Sequence, residues 1–494
     1  MWLTQLLERN RQCRPGRTAL VDEERSVTWA EFHDRTLELA RGLAELGIER
    51  GDRVAVLSKD RIEVLESYFA LARLGALFVP LNHSLAEPEV AGIIERVGAV
   101  AVIGESELLD RHPELPASVR IRLALDKPAF EALGTLAAER DLPEVADTDP
   151  IAVLHTSATT GQAKGVTVDS GSFRAIALGW LVMARPTDDI VMVNCCPLYH
   201  GSMVVSLTYL AAGATVVLMP GFTPQRALTA VERHRATHMW LVPQMLRFML
   251  QAKASHRTDL SCLREILYGA APMPLDVYAD AVERLGCGFR QVYGMTEVGG
   301  PFVTLGPDEH PAPGDVTARI PCGRVVPGMS ARAVDGGGRK LPPGEIGEIV
   351  VRGPGVMRGY WNDPQATREI TLDGWIRTGD LGFMDDEGRI SLVDRTKDVI
   401  IRAGQNVYPS EIERALLTHP AVRDAAVVGM PDEDYGEVPL AYVVPEPGAD
   451  PGAAALLGHV KGLLAPYKWP RRVEFIEQVP RNPAGKIVKK LLRA

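Results

Sequence analysis

Residues 154–166 read LHTSATTGQAKGV, entered from the apolar run Ile151 to Leu154. The segment places the hydroxyls of Thr156, Ser157, Thr159 and Thr160 beside Gly161, Gly165 and Lys164. Such a composition suits an oxyanion clamp: backbone N–H groups and hydroxyls donate to phosphate oxygens, and the lysine adds positive charge. It is not the common nucleotide loop, because the G-x-x-x-x-G-K-[ST] spacing is absent. Read alone, a hydroxyl-rich loop is more often a solvated turn than a phosphate site, so its companions along the chain must decide.

Working outward, strands alternate with helices on both sides. Thr28 to Glu31 is a capping box opening a helix to about Leu46. Strand Val54–Leu57, helix Arg61–Arg73, strand Leu77–Leu81, helix Glu87–Arg96 and strand Val100–Ile103 follow. After the loop come strand Ile190–Val193, helix Pro224–His234, strand Met239–Val242, helix Gln244–Gln251, strand Glu265–Tyr268 and helix Leu275–Leu285. The alternation predicts an α/β layered fold with largely parallel sheets. Residues 104–149 are poorly patterned and predict only a surface excursion. From about Ile320, alternating apolar residues and the turns Gly336-Gly337-Gly338 and Pro342-Pro343-Gly344 predict an antiparallel, barrel-like part, with Glu345–Val351 a clear strand. The last hundred residues predict a small α+β unit, with Pro409 in the first turn of a helix to about His419.

A chain of 494 residues is too long for one ordinary core, so at least two domains are expected. Apolar content of 46% and charged content of 24% are those of a globular protein. The net charge of −9 and the absence of basic runs exclude nucleic acid and anionic membrane surfaces as expected partners. Cys13, Cys195, Cys196, Cys262, Cys287 and Cys322 form no C-x-x-C pair and no zinc spacing, which predicts free thiols in a reduced compartment. The start, MWLTQLLERN, lacks a basic n-region and a long apolar core. Ser202–Pro220 is uncharged and long enough to span a bilayer. Gly213 divides it, predicting a buried helix, a turn and a buried strand Thr215–Met219 rather than a membrane span. Cytoplasmic localisation is the expectation.

Six further stretches carry chemistry: Pro197-Leu198-Tyr199-His200-Gly201, Gly269-Ala270-Ala271-Pro272-Met273-Pro274, Tyr293-Gly294-Met295-Thr296-Glu297, Trp375-Ile376-Arg377-Thr378-Gly379-Asp380, Val393-Asp394-Arg395-Thr396-Lys397-Asp398 with Ala403-Gly404-Gln405-Asn406, and Pro480-Arg481-Asn482-Pro483-Ala484-Gly485-Lys486-Ile487. In this order, with residues 154–166, they resemble the adenylate-forming superfamily: acyl-CoA synthetases, firefly-type luciferases and peptide-synthetase adenylation domains. The resemblance covers nearly the whole chain and is nearest to acyl-CoA ligases.

The resemblance implies the site residue by residue. Thr156, Ser157, Thr159, Thr160, Gly161 and Lys164 would hold ATP phosphates. His200 would be an aromatic gate towards the acyl pocket. Gly269, Ala270, Ala271, Tyr293 and Gly294 would seat adenosine, an aromatic face stacking the base. Thr296 would reach the α-phosphate, and Glu297 would support Mg²⁺, which demands oxygen ligands. Asp380 would clamp the ribose with Arg395. Lys397 would be the pivot of a hinge, and Gly404 would border the coenzyme A tunnel. Lys486 would bridge the substrate carboxylate and the α-phosphate. Met203, Trp240, Val242 and Met245 are the candidates for an acyl pocket, suggesting an apolar acid. The implied domains are residues 1–394, adenylate-binding with a β-rich part at 320–394; a hinge, 395–397; and a mobile C-terminal lid, 398–494.

The function implied is acyl-CoA ligation: a carboxylic acid and Mg-ATP give an acyl-adenylate and pyrophosphate, then the lid rotates and coenzyme A displaces AMP. No carrier domain follows Lys486, which favours free coenzyme A as acceptor. A homodimer is left open. Where the family commonly reads TSGTTGxPKG, Ala158 replaces a glycine and Ala163 the proline; Asp394 and Ala403 also stand where glycine is common. An alanine forced left-handed at 158 would cost roughly 1–2 kcal/mol. Three alternatives therefore stay open at this point: a thioester-forming enzyme with weak adenylation that takes preformed acyl-adenylate, a non-catalytic adenylate-binding protein, and a luciferase-like oxygenase.

Overall fold

The computed structural model describes residues 1–136, 141–156, 163–199, 201–315, 319–481 and 487–493. Ser157, Ala158, Thr159, Thr160, Gly161, His200 and Lys486 lie outside the described residues. The chain forms two compact units, Met1–Ser330 with Arg352–Ile376, and Ala331–Val351 with Arg377–Ala494.

Among the described residues the first unit carries two sheets. The larger runs Arg324–Val325, Gly300–Leu305, Gly288–Met295, Glu265–Gly269, His238–Leu241, Val191–Asn194, Thr215–Leu218, Thr18–Val21, Ser26–Thr28. Its central strands, from Gly288–Met295 to Thr18–Val21, are mutually parallel, with antiparallel strands at both ends. The second runs Gly359–Tyr360, Gly165–Asp169, Pro150–His155, Leu77–Leu81, Arg53–Leu57, Ala101–Gly104, Ile121–Ala124, parallel from Pro150–His155 onward. Buried parallel strands read as near-continuous apolar runs because both faces are covered by helices. Leu77–Leu81 and His238–Leu241 are buried at every position.

The capping box forms: Thr28 and Glu31 satisfy each other's backbone N–H at the start of helix Trp29–Glu45. Helix Ile62–Leu74 is buried along its whole length. Its acidic residues survive there because they are paired, Glu63 with Arg25 and Arg61, and Glu66 with Arg25 and Arg35. The uncharged segment Ser202–Pro220 forms helix Ser202–Ala212, ends on Gly213 at φ +87°, and continues as strand Thr215–Leu218. Among the described residues no helix is long and apolar enough to cross a membrane.

Residues 104–149 are more than a surface excursion. Strand Ile121–Ala124 extends the second sheet, and helix Pro128–Leu136 packs on helix Trp29–Glu45. The approach is close: a Cβ on Gly42 would lie 2.5 Å from the Leu133 carbonyl oxygen. A four-residue strand and a nine-residue helix are too short for periodicity to declare them.

In the second unit, Trp375–Met384 pairs antiparallel with Ile390–Arg395, and Gly347–Arg352 lies in the same sheet. A further sheet holds Gln405–Val407, Ile400–Arg402, Gly436–Pro445 and Val422–Asp432, with Arg472–Phe475 parallel to Gly436–Pro445. Helices Pro409–Leu417 and Ala453–Leu463 cover it through Ile412, Leu416, Leu456 and Val460.

Candidate active site

Strands Pro150–His155 and Gly165–Asp169 are antiparallel, with His155 opposite Gly165. The described residues on either side, 154–156 and 163–166, are thus drawn together at the ends of the two strands, where the Thr156 N–H donates to the Lys164 carbonyl at 3.1 Å. Gly165 is sterically required, since a Cβ there would lie 2.7 Å from Val153 Cγ1. Beside it, burial holds the His155 imidazole down to about 4.

The Tyr293–Glu297 stretch ends strand Gly288–Met295 and enters the single turn Thr296–Val298. Gly299 at φ +67° and Gly300 at φ +131° then reverse the chain into strand Gly300–Leu305. The two arms close so tightly at Gly294 that a Cβ would lie 2.3 Å from the Gly300 oxygen and 2.5 Å from Pro301 Cα. Tyr293 is half-buried with its ring against Phe302, centroids 5.2 Å apart. Thr296 is half-buried and Glu297 is buried.

A segment absent from the sequence-based site joins these two places. In residues 355–361, the Met357 N–H donates to the Glu297 carbonyl at 2.9 Å, the Arg358 N–H to Thr167 at 2.9 Å, and the Trp361 N–H to Gly165 at 2.7 Å. Tyr360, opposite Val166 in the sheet, donates its hydroxyl to Glu297 Oε1 at 2.8 Å. The Lys164 ammonium stands 4.9 Å from the centroid of the same ring. Burial, together with the Glu297 charge and hydrogen bond, raises the Tyr360 hydroxyl far above its ordinary range, so it stays a donor. The signal that could have found it is a Gly-Tyr-Trp run, Gly359 to Trp361, in otherwise polar surroundings.

At the end of strand Glu265–Gly269, a Cβ on Gly269 would lie 2.4 Å from the Val292 oxygen and 3.2 Å from Trp240 Cη2. Gly269 and Trp240 are thus neighbours. Ala270 is exposed at φ +66°, a conformation that costs an alanine roughly 1–2 kcal/mol and that clusters at functional sites. Ala271 is half-buried beside it. Met203, Trp240 and Val242 are buried, and the Trp240 indole N–H has no partner among the described residues. Met245 goes elsewhere. It packs on the cluster of Met239, Leu241 and Tyr268, and strand alternation puts that cluster on the sheet face opposite Trp240.

A buried carboxylate missed by the sequence analysis fixes the segment leading to residue 200. Asp60 accepts the Leu198 N–H at 2.9 Å. Burial pushes its carboxyl up to about 8, against that hydrogen bond.

In the second unit, Asp380 and Arg395 are opposite each other in the sheet, and Arg395 Nε is 2.7 Å from Asp380 Oδ1. Asp380 is 6% exposed, while Arg395 reaches solvent. The Asp394 carboxylate accepts the Ser410 N–H at 2.9 Å, in the first turn of helix Pro409–Leu417. Lys397 is exposed in the turn Thr396–Asp398. Ala403 and Gly404, at φ +48° and +79°, connect strands Ile400–Arg402 and Gln405–Val407 as a two-residue hairpin turn. Near the end of the chain, the Lys489 ammonium is 2.8 Å from the buried carboxylate of Glu413.

Among the described residues no three His, Cys, Asp or Glu side chains converge to cage a metal. One buried carboxylate, Glu297, nevertheless fits Mg²⁺, which is usually held by one or two carboxylates with water and substrate phosphates. The donor chemistry therefore admits the ion as a companion of a bound phosphate rather than as a resident.

The AMP-binding enzyme family model matches residues 7–361, and that of the AMP-binding enzyme C-terminal domain matches residues 411–486. The chain is 36% identical to the fatty acid–[acyl-carrier-protein] ligase ScoC of Streptomyces coeruleorubidus, over 99% of this chain and 96% of that protein. It is 37% identical to a feruloyl-CoA synthase of an Amycolatopsis species, over 97% and 96%. Among solved structures, the o-succinylbenzoate CoA synthetase of Bacillus subtilis, in complex with its acyl-adenylate intermediate, superposes with a TM-score of 0.86 at 30% identity, covering 99% of this chain and 98% of that one.

Proposed function

The chain belongs to the AMP-binding enzyme family, and we propose that it uses this fold to join a carboxylic acid with a largely apolar body to coenzyme A. It is an AMP-forming acid–thiol ligase that takes ATP and coenzyme A and works through an acyl-adenylate. The observation that supports the site assignment is that Lys164, assigned here to phosphate, and Glu297, assigned here to the metal, both contact the side chain of Tyr360.

In the first half-reaction a carboxylate oxygen attacks the α-phosphorus and the bond to pyrophosphate breaks. In the second the thiol sulfur attacks the acyl carbon, loses its proton, and the bond to AMP breaks. The chain's task is positioning and charge neutralisation, which need no protein nucleophile. In this reading Thr156 and Lys164, with Ser157, Thr159, Thr160 and Gly161, hold the β- and γ-phosphates. Gly269, Ala270, Ala271, Tyr293 and Gly294 seat the adenine, and Thr296 orients the α-phosphate. Asp380 and Arg395 take the ribose, and Lys486 draws the carboxylate to the α-phosphate. Glu297 would help to hold Mg²⁺, which would supply neutralisation of the phosphate charge. His200 gates a pocket lined by Met203, Trp240 and Val242, whose apolar burial supports an acid with an apolar body. Gly404 borders the thiol passage. The division into 1–394, hinge 395–397 about Lys397, and lid 398–494 belongs to the same proposal, as does cytoplasmic residence.

Acid-dependent ATP–pyrophosphate exchange, run over aromatic and fatty acids, tests this reading, with thioester formation followed on coenzyme A and on a phosphopantetheinyl carrier protein. Exchange with no acid, or transfer to the carrier alone, would count against it. Sedimentation decides whether the enzyme is a homodimer.

A further inference from the structure

Three elements of the first unit meet at one side chain. Strand Gly165–Asp169 with Lys164 just before it, the turn carrying Glu297 and the strand Gly359–Tyr360 are stitched by backbone hydrogen bonds from Met357, Arg358 and Trp361. Tyr360 also fixes its own backbone, its N–H donating to Thr367 Oγ1 at 2.9 Å. The contact with Gly299 is close enough that a Cβ there would lie 2.8 Å from the Gly355 oxygen. So the tyrosine is placed by the fold rather than by its two charged neighbours.

We propose that Tyr360 is a positioning residue for adenylation, setting the phosphate-loop lysine and the metal-side carboxylate in register with each other. This rests on the roles given above to Lys164 and Glu297. The two contacts act through different chemistry. The hydroxyl donates one hydrogen bond to Glu297 Oε1 and so fixes the carboxylate's rotation; a charge-assisted bond of this kind is the stronger of the two. The ring face attracts the Lys164 ammonium. A lysine carries three donors on a flexible stem, and the aromatic face narrows where those donors can go before ATP arrives. Neither contact touches the acyl carbon, so the thiol step does not depend on them.

The separation of the two contacts gives the test. Tyr360→Phe keeps the ring and removes the hydroxyl; Tyr360→Leu removes both. Loss of one hydrogen bond to a charged group should lower the adenylation kcat of Tyr360→Phe by about 10- to 100-fold. It should also raise the Mg²⁺ concentration needed to bind a non-hydrolysable ATP analogue, read by calorimetry without turnover. Tyr360→Leu should add an increase of about 2- to 30-fold in the KM for ATP, the range of a cation–π contact. Thioester formation from synthetic acyl-adenylate and coenzyme A should stay within about threefold of wild type in Tyr360→Phe, whose melting temperature guards against misfolding. Equal losses in both half-reactions, or wild-type exchange and wild-type Mg²⁺ dependence in Tyr360→Phe, would overturn the proposal. If the wild-type chain forms no thioester at all, the functional reading fails. The Mg²⁺ dependence of analogue binding still decides the role of Tyr360 in that case.

Discussion

Gly294 is the position at which one methyl group should do most damage. Its Cβ would stand 2.3 Å from the Gly300 oxygen, 2.5 Å from Pro301 Cα and 2.7 Å from the Gly300 carbonyl carbon. All three are backbone atoms, so no side chain can swing away. Ordinary contact begins near 3.4 Å, so the two arms of the hairpin must separate by about 1.1 Å. Overpacking of this kind costs typically ~1–3 kcal/mol. The displaced segment carries Tyr293, Thr296 and Glu297, and a misplacement of about 1 Å at reacting groups can cost on the order of 10²-fold in rate. Gly294→Ala should therefore fold with a lowered melting temperature and lose on the order of 10²-fold in ATP–pyrophosphate exchange. Gly221→Ala, where a Cβ meets nothing within 4 Å, is the matched control. Exchange by Gly294→Ala within a few-fold of the control, with the same melting temperature, would refute the claim that this hairpin positions the reacting groups.

Other consequences follow from single groups. His155 titrates near 4 when folded and near 6.5 when unfolded, so only the unfolded chain takes up the proton between those values. Its contribution is complete above pH 6.5 and is lost as pH falls towards 4, by at most ~3 kcal/mol; urea midpoints of His155→Asn should show a flatter profile there, and parallel profiles would exclude this origin. Lys489→Met leaves the Glu413 carboxylate buried without its cation, which should cost ~3–5 kcal/mol at pH 8 and recover in part on acidification as Glu413 protonates. Ala403→Gly relieves roughly 1–2 kcal/mol of left-handed strain and gives back ~0.4–1 kcal/mol in unfolded-chain entropy. Thermal unfolding should then shift upward slightly, and a clear drop would contradict the turn geometry.

The fold was legible where patterning is strong. Leu77–Leu81 and helix Pro224–His234 appear at the boundaries read from sequence, and the Thr28–Glu31 box caps its helix. The capping box works from sequence because both partners lie within four residues. What stayed hidden is non-local. Helix Pro128–Leu136 depends on Gly42, about ninety residues away in sequence, for its packing. Tyr360 comes beside Lys164 by sheet pairing and reaches Glu297 through a side-chain hydrogen bond, and Asp60 reaches Leu198 from a distant part of the chain. Asp394 stands where glycine is common; its bond to Ser410 becomes visible only with the helix start in three dimensions. Met245 shows the limit of reading a pocket from apolar residues near a strand end, since it packs with Met239, Leu241 and Tyr268 rather than with Trp240.

The most direct measurement uses acid labelled with ¹⁸O in its carboxylate. Attack of that carboxylate on the α-phosphorus, followed by thiol displacement at the acyl carbon, leaves one labelled oxygen on AMP. Mass spectrometry of the products should show singly labelled AMP, pyrophosphate without label, and acyl-coenzyme A. Unlabelled AMP, or label recovered in inorganic phosphate with ADP as the other product, would contradict an acyl-adenylate route.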